Sequence, residues 1–149
     1  MSTKPIIIHH LVKSSDLNHH ETLYAGRGAE WLVEAGFIAA ASLTNPENTV
    51  CLNIHGMIFT KPVAKGSLLK YESRIVYAGR TSLVAYVRVN LSQTSEFIVE
   101  GFLTFIHVVK GKAVPHGIVI HPETPEEIAL YEQGKALKTG GHQNSGPNK

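Results

Sequence analysis

The sequence predicts an α+β domain. A strongly curved antiparallel sheet wraps one central helix, and a further helix lies toward the C-terminus. Three observations predict it. From Gly26 to Ala41, apolar residues fill nearly every position that Arg27, Glu30 and Glu34 do not take, as in a helix buried within a fold. From Val50 to Val109 the apolar period shortens to two, in four long segments. The turns between those segments are short, so the strands pair antiparallel as a meander. A chain of 149 residues, 43% hydrophobic and 17% charged, suits one globular domain with a real core. We expect that domain over residues 1–138, and a disordered tail over 139–149, where TGGHQNSGPNK is rich in Gly, Ser and Asn.

The elements follow in chain order. Pro5 to Val12, containing IIIHHLV, is β-branched and reads as a first strand. Lys13 to His20 is polar, and Asp16 or Asn18 can start a turn by bonding the local backbone. The central helix follows and stops before Asn45-Pro46, because a residue preceding proline is pushed out of helical space. Val50 to Thr60 reads as the next strand, with a turn at Lys61-Pro62 and Lys65-Gly66. Ser67 to Tyr77, Thr81 to Leu91 and Glu96 to Val109 are three more, separated by Ala78-Gly79-Arg80 and by the polar run Ser92 to Ser95. Val114 to His121 is an extended segment. Thr124-Pro125-Glu126-Glu127 opens a helix, with a capping Thr, Pro at the first helical position and acids in the first turn; it should run to about Leu137. Such a sheet leaves open edges and an uncovered helix face, so we expect at least a dimer.

Composition narrows the function. A formal net charge of +2, with no basic run, argues against a nucleic-acid partner. No apolar stretch reaches the length of a membrane span, and MSTKPIIIHH has too few apolar residues for a signal sequence. The single cysteine, Cys51, fits a reducing compartment, and we expect a cytoplasmic protein. The adjacent pairs His9-His10 and His19-His20 have no Cys or carboxylate at a zinc spacing, so no metal site is expected. Glu34, inside VEAGFIAAA, is the residue that most suggests chemistry. A buried carboxylate costs several kcal/mol unless neutralised or paired. It is either a functional acid or a structural one paired with Arg27 or a partner subunit.

The loop and helix text resembles the hotdog-fold acyl-CoA thioesterases, the cytosolic acyl-CoA hydrolase group. Their pattern reads approximately N-x-H-G-T-L-F-G-G-x-x-x-x-W-M-D-E-A, and Asn18, His20, Thr22, Leu23, Tyr24, Gly26, Trp31, Glu34 and Ala35 stand in matching places. The later text IHGMIFTKPVAKGSLLKYESRIVYAGRTS is similar to the family's second and third strands, so the resemblance covers roughly residues 6 to 110. Two positions depart from the pattern. Val33 stands where the family has its catalytic Asp, and Glu21 where it has Gly.

The resemblance implies hydrolysis of acyl-CoA to a free acid and CoA, without cofactor or metal, at a site between subunits of a homodimer or higher homo-oligomer. The backbone N–H groups near Ala25 and Gly26, at the positive end of the helix, would polarise the thioester carbonyl. Asn18 would orient water or thioester. Glu34, or else Glu21, would supply the carboxylate that Val33 lacks. Arg80, Thr81 and Ser82, with Lys61 as a weaker candidate, would bind the phosphates and nucleotide of CoA. The rival expectation is a hotdog protein that binds acyl-CoA without hydrolysing it, as a sensor or carrier. Another hotdog chemistry, dehydration, needs a His and an acid at the helix, and the helix itself carries no His.

Overall fold

The computed structural model describes residues 4–144; residues 1–3 and 145–149 lie outside it. The order of elements is β1 (Ile6–Leu11), α1 (Ala25–Leu43), β2 (Thr49–His55), β3 (Leu68–Ala78), β4 (Ser82–Leu91), β5 (Phe97–Val109), β6 (Lys112–Ala113) and α2 (Pro125–Asn144). Short 3₁₀ turns at Ser14–Asp16 and Pro46–Asn48 flank α1. Helix α2 opens as its sequence implies. The Glu127 N–H donates to Thr124 Oγ1 at 3.1 Å, and Glu127 Oε1 accepts from the N–H groups of Glu123 and Thr124. It takes in residues to Asn144, past the end expected near Leu137, so the expected tail falls partly on helix and partly outside the described residues.

The sheet is antiparallel in the order β1-β3-β4-β5-β2, with β6 folded back on β5 as a hairpin. The meander is therefore β3-β4-β5 alone. β2 does not pair with the β3 that follows it, but crosses to the far edge and pairs with β5 from Thr49↔His107 to His55↔Phe102. Gly56, at φ +73°, and Pro62 interrupt the strand, and the chain between His55 and Leu68 forms no long strand. β2 thus ends at His55, not Thr60, and leaves the sheet long enough to return to its other side.

One face of the sheet curls around α1. Trp31, Leu32, Ala35, Ala39 and Ala40 pack against Tyr71 and Ile75 of β3, the Leu83-Ala85-Val87-Val89 row of β4, and Val99, Leu103 and Phe105 of β5. The opposite face carries a smaller cluster of Val76, Val84, Tyr86 and Phe102 beneath Leu130 of α2. β4 is consequently buried on both faces. Helix α1 is not buried all round, contrary to the sequence expectation. A single curved layer covers only the face carrying Gly28, Trp31, Leu32, Ala35, Gly36, Ala39 and Ala40, and leaves Glu30, Glu34 and Ile38 exposed. No helix among the described residues is long and apolar enough to cross a membrane.

Candidate active site

The loop between β1 and α1 is tied to the start of α1 through Asp16. Its carboxylate, 4% exposed, accepts from the Lys13 N–H at 2.9 Å and pairs with Lys13 Nζ at 3.6 Å and Arg27 Nε at 3.5 Å. Its carbonyl accepts from the Tyr24 N–H at 2.8 Å. The Lys13 backbone hydrogen bond, aided by both cations against the cost of burial, holds the Asp16 carboxyl below its ordinary range.

Asn18 closes the tight turn that follows. Its Oδ1 accepts from the N–H groups of His20 at 2.8 Å and Thr22 at 3.2 Å, and from Thr22 Oγ1 at 3.4 Å. Three donors exhaust an amide oxygen, so Asn18 can offer a substrate only its N–H₂. Glu21 occupies the same turn, exposed and at φ 64°, in the left-handed region that glycine adopts freely. The family's Gly at this position therefore has a backbone reason.

Helix α1 begins with unsatisfied donors. Tyr24 caps it with no side-chain hydrogen bond, and its carbonyl already takes the N–H groups of Arg27 at 3.0 Å and Gly28 at 3.1 Å. The first amides of a helix have no partner within it, so Ala25 and Gly26, both exposed, present theirs to solvent. The Tyr24 ring folds over Gly26, where any Cβ would overlap it.

The carboxylates are placed differently from expectation. Glu34 is exposed, because the sheet covers the other face of α1. Val33 is half-buried and packs against the core. One helical step, about 100°, separates the two side chains. Glu34 lies on the side of His10, which the sequence analysis weighs only as half of a histidine pair without a metal spacing. The His10 ring stacks on Trp31 at 4.3 Å and 7°, and meets Tyr71 edge-on at 5.3 Å. Burial lowers the His10 pKa, and the Glu34 charge partly opposes that. The signal was present in β1, where period two puts His10 on the inward face with Ile6 and Ile8.

The residues expected at CoA are brought into two places. The Gly79 N–H to Ser82 carbonyl bond, 2.9 Å, closes the β3–β4 turn. Arg80 is exposed there and lines a cleft of about 360 Å³ with Pro115, His116, Val119 and Tyr131. Ser82 turns inward: it is 4% exposed, its Oγ has no partner, and its carbonyl accepts from His116 Nε2 at 2.9 Å. Lys61 is paired with Glu96 at 2.8 Å and lines a different cavity, which it shares with Ala25. Tyr71 Oη, near the start of β3, donates to the Gly28 carbonyl at 3.3 Å, so α1 begins over the start of β3 while Arg80 follows its end. At ~3.3 Å per residue the strand between them is at most roughly 30 Å long. Among the described residues no cluster of three His, Cys, Asp or Glu side chains could hold a metal.

A curled antiparallel sheet around one helix, a second helix behind it, and an uncapped helix start beside an amide-bearing loop together make a hotdog fold. Residues 20–97 match the Thioesterase superfamily, and the chain belongs to that family. It is 31% identical over 121 residues to a Bacillus subtilis protein named uncharacterized acyl-CoA thioester hydrolase YkhA, covering 78% of this chain and 69% of that one. It is 27% identical over 149 residues to protein VdlD of Helicobacter pylori, covering 95% and 84%. The crystal structure of an apo-hexameric acyl-CoA thioesterase superposes with a TM-score of 0.83 at 30% identity, over 95% of this chain and 93% of that one.

Proposed function

We propose that the protein hydrolyses acyl-CoA to a carboxylic acid and free CoA, as a cytoplasmic homo-oligomer. The observation that carries this is Asn18, whose oxygen is taken up by the turn so that its N–H₂ is the group left for a ligand, in a loop tied to the uncapped start of α1. Family membership and the names of the relatives agree with it. The amides of Ala25 and Gly26 stabilise the oxyanion as water adds to the thioester carbon. The Asn18 N–H₂ holds that water or the carbonyl. A carboxylate, Glu34 or failing it Glu21, takes the water proton; the C–S bond then breaks and the proton passes to the CoA sulfur.

Two observations support assembly. Strand β2 is an open edge with Val50, Leu52 and Ile54 exposed, continued by Ile58 at 75% exposure. Arg80 and Thr81 follow the end of β3 while α1 begins over its start, an arrangement that supports reading of the CoA end by another protomer. The free thiol of Cys51 supports a reducing compartment. A second reading, binding without hydrolysis, is favoured by Val33 packing against the core while Glu34 stays exposed on α1.

Thiol release from acyl-CoAs of short, long and aryl type, by wild type, Glu34→Gln, Glu21→Gln and Asn18→Ala, decides between them. Turnover that collapses in one Glu variant and in Asn18→Ala establishes the hydrolase and its base. No release from any substrate, with CoA still raising the melting temperature, establishes the binding protein.

A further inference from the structure

We infer that His116 is a positioning residue for CoA: it clamps the Arg80-Thr81-Ser82 turn so that the turn offers an anion only donors. The inference rests on the acyl-CoA reading above and specifies how the phosphates are held. All three carbonyls of the turn are taken. The Arg80 carbonyl accepts from the His116 N–H at 3.3 Å, and the Thr81 carbonyl from the His107 N–H at 2.7 Å. The Ser82 carbonyl accepts from the Gly79 N–H at 2.9 Å and from His116 Nε2 at 2.9 Å. The N–H groups of Arg80 and Thr81 have no hydrogen-bond partner among the described residues, and neither has the Arg80 guanidinium. Backbone donors beside a guanidinium suit a phosphate. The cleft that Arg80 lines has no carboxylate in its wall, so an anion there meets no like charge.

The His116 ring is fixed from both sides. Nδ1 accepts from the Ile118 N–H at 3.0 Å, while Nε2 meets the Ser82 carbonyl. A carbonyl only accepts and an N–H only donates, so the ring carries its proton on Nε2 and a lone pair on Nδ1. The segment that carries His116 is itself anchored where it leaves β6. There the Val114 N–H donates to the His107 carbonyl at 2.9 Å, and His107 Nδ1 donates to the Val114 carbonyl at 2.8 Å. His116 thus joins an anchored segment to both ends of the turn, to Arg80 through its backbone and to Ser82 through its ring. Substitution of the side chain leaves the first bond possible and removes the second. The ring bond to Ser82 is therefore the part of the clamp that a variant can isolate.

The test titrates S-butyl-CoA, a thioether that cannot be hydrolysed, calorimetrically into the full-length protein at several salt concentrations. His116→Ala should weaken binding about tenfold, the worth of one charged hydrogen bond. It should also flatten the dependence of binding on salt, because fewer phosphate contacts remain. His116→Gln brings an amide N–H₂ to the place of Nε2 and should restore wild-type binding. His116→Asn brings its amide to the place of Nδ1, keeps only the bond to Ile118, and should bind as weakly as His116→Ala. Wild-type affinity in His116→Ala and His116→Asn, weaker binding with an unchanged salt dependence, or no rescue by His116→Gln would overturn the inference and leave the acyl-CoA reading intact. Failure of wild type to bind S-butyl-CoA would instead sink the acyl-CoA reading and the inference with it.

Discussion

Asp16→Asn isolates the tie that holds the Asn18 loop to α1. The substitution keeps the shape of the side chain and removes its charge. At neutral pH it weakens one hydrogen bond from the Lys13 N–H to a charged acceptor, at 2.9 Å, and abolishes two ion pairs whose cationic partners are 63% and 41% exposed. A charged hydrogen bond is worth about 1.5–3 kcal/mol, and Asn retains part of it as a neutral acceptor. Exposed ion pairs add about 0–1 kcal/mol each. The expected loss is therefore about 1–2 kcal/mol. Its pH dependence has a definite sign. The folded carboxyl is held below its ordinary 3.8, so the contribution is fully present above that value and is lost as pH falls through the folded value. Urea unfolding of both proteins, at one protomer concentration from pH 7 into the acid range, measures the difference. It should be largest at pH 7 and shrink below about pH 4. Thiol release should fall about ten- to hundredfold, chiefly in kcat, because the donor amide loses its position. A variant as stable as wild type at pH 7, or a difference unchanged in acid, would refute the reasoning.

Two further outcomes follow from local geometry. Glu21→Gly relieves a left-handed backbone at φ 64°, so it should stabilise the protein by about 0.5–1 kcal/mol after the entropic cost of glycine, whereas Glu21→Gln, which keeps its Cβ, should not. Equal melting temperatures for the two variants would show that the turn is unstrained. Trp31 is the single tryptophan, and the His10 ring stacks on it, so its fluorescence should report protonation of His10. The midpoint should lie below 6.5, because burial disfavours the imidazolium, and Glu34→Gln should lower it further. This lowered value also means that the stacked arrangement contributes stability above pH 6.5 and loses it as pH falls through the folded value. A midpoint at or above 6.5 would show that the stack is not desolvated.

The strands and α1 were legible because their signal is local. Alternation in β4 and the Thr124-Pro125 start of α2 depend on neighbours within a few residues. The place of β2 was not legible, because which strand a strand pairs with is decided by packing across the domain. The exposure of Glu34 was hidden for a related reason. An apolar helix face around Glu34, with Val33 and Phe37 against the core and Ile38 exposed, reads the same whether the chain's own sheet or a second copy covers it. Asn18 was visible as a residue but not as a donor, since only the three bonds on its oxygen show which end of the amide is free.

The departures from the family pattern fall unevenly on the two halves of the reaction. In the proposed reaction the electrophilic half is kept: the Asn18 amide, the N–H groups of Ala25 and Gly26 at the uncapped helix start, and Asp16 binding the loop to that helix. The nucleophilic half is altered, with an apolar side chain at 33 and a carboxylate one helical step away. A single oxyanion donor is worth about 10²–10³ in rate, so the kept half can stabilise a tetrahedral intermediate whichever group delivers the water. Because α1 exposes Glu30, Glu34 and Ile38 in one chain, whatever covers that face sets the surroundings of Glu34. On the proposed mechanism the carboxylate side of the site thus depends on the assembled oligomer, whereas the donors at the start of α1 belong to the single chain.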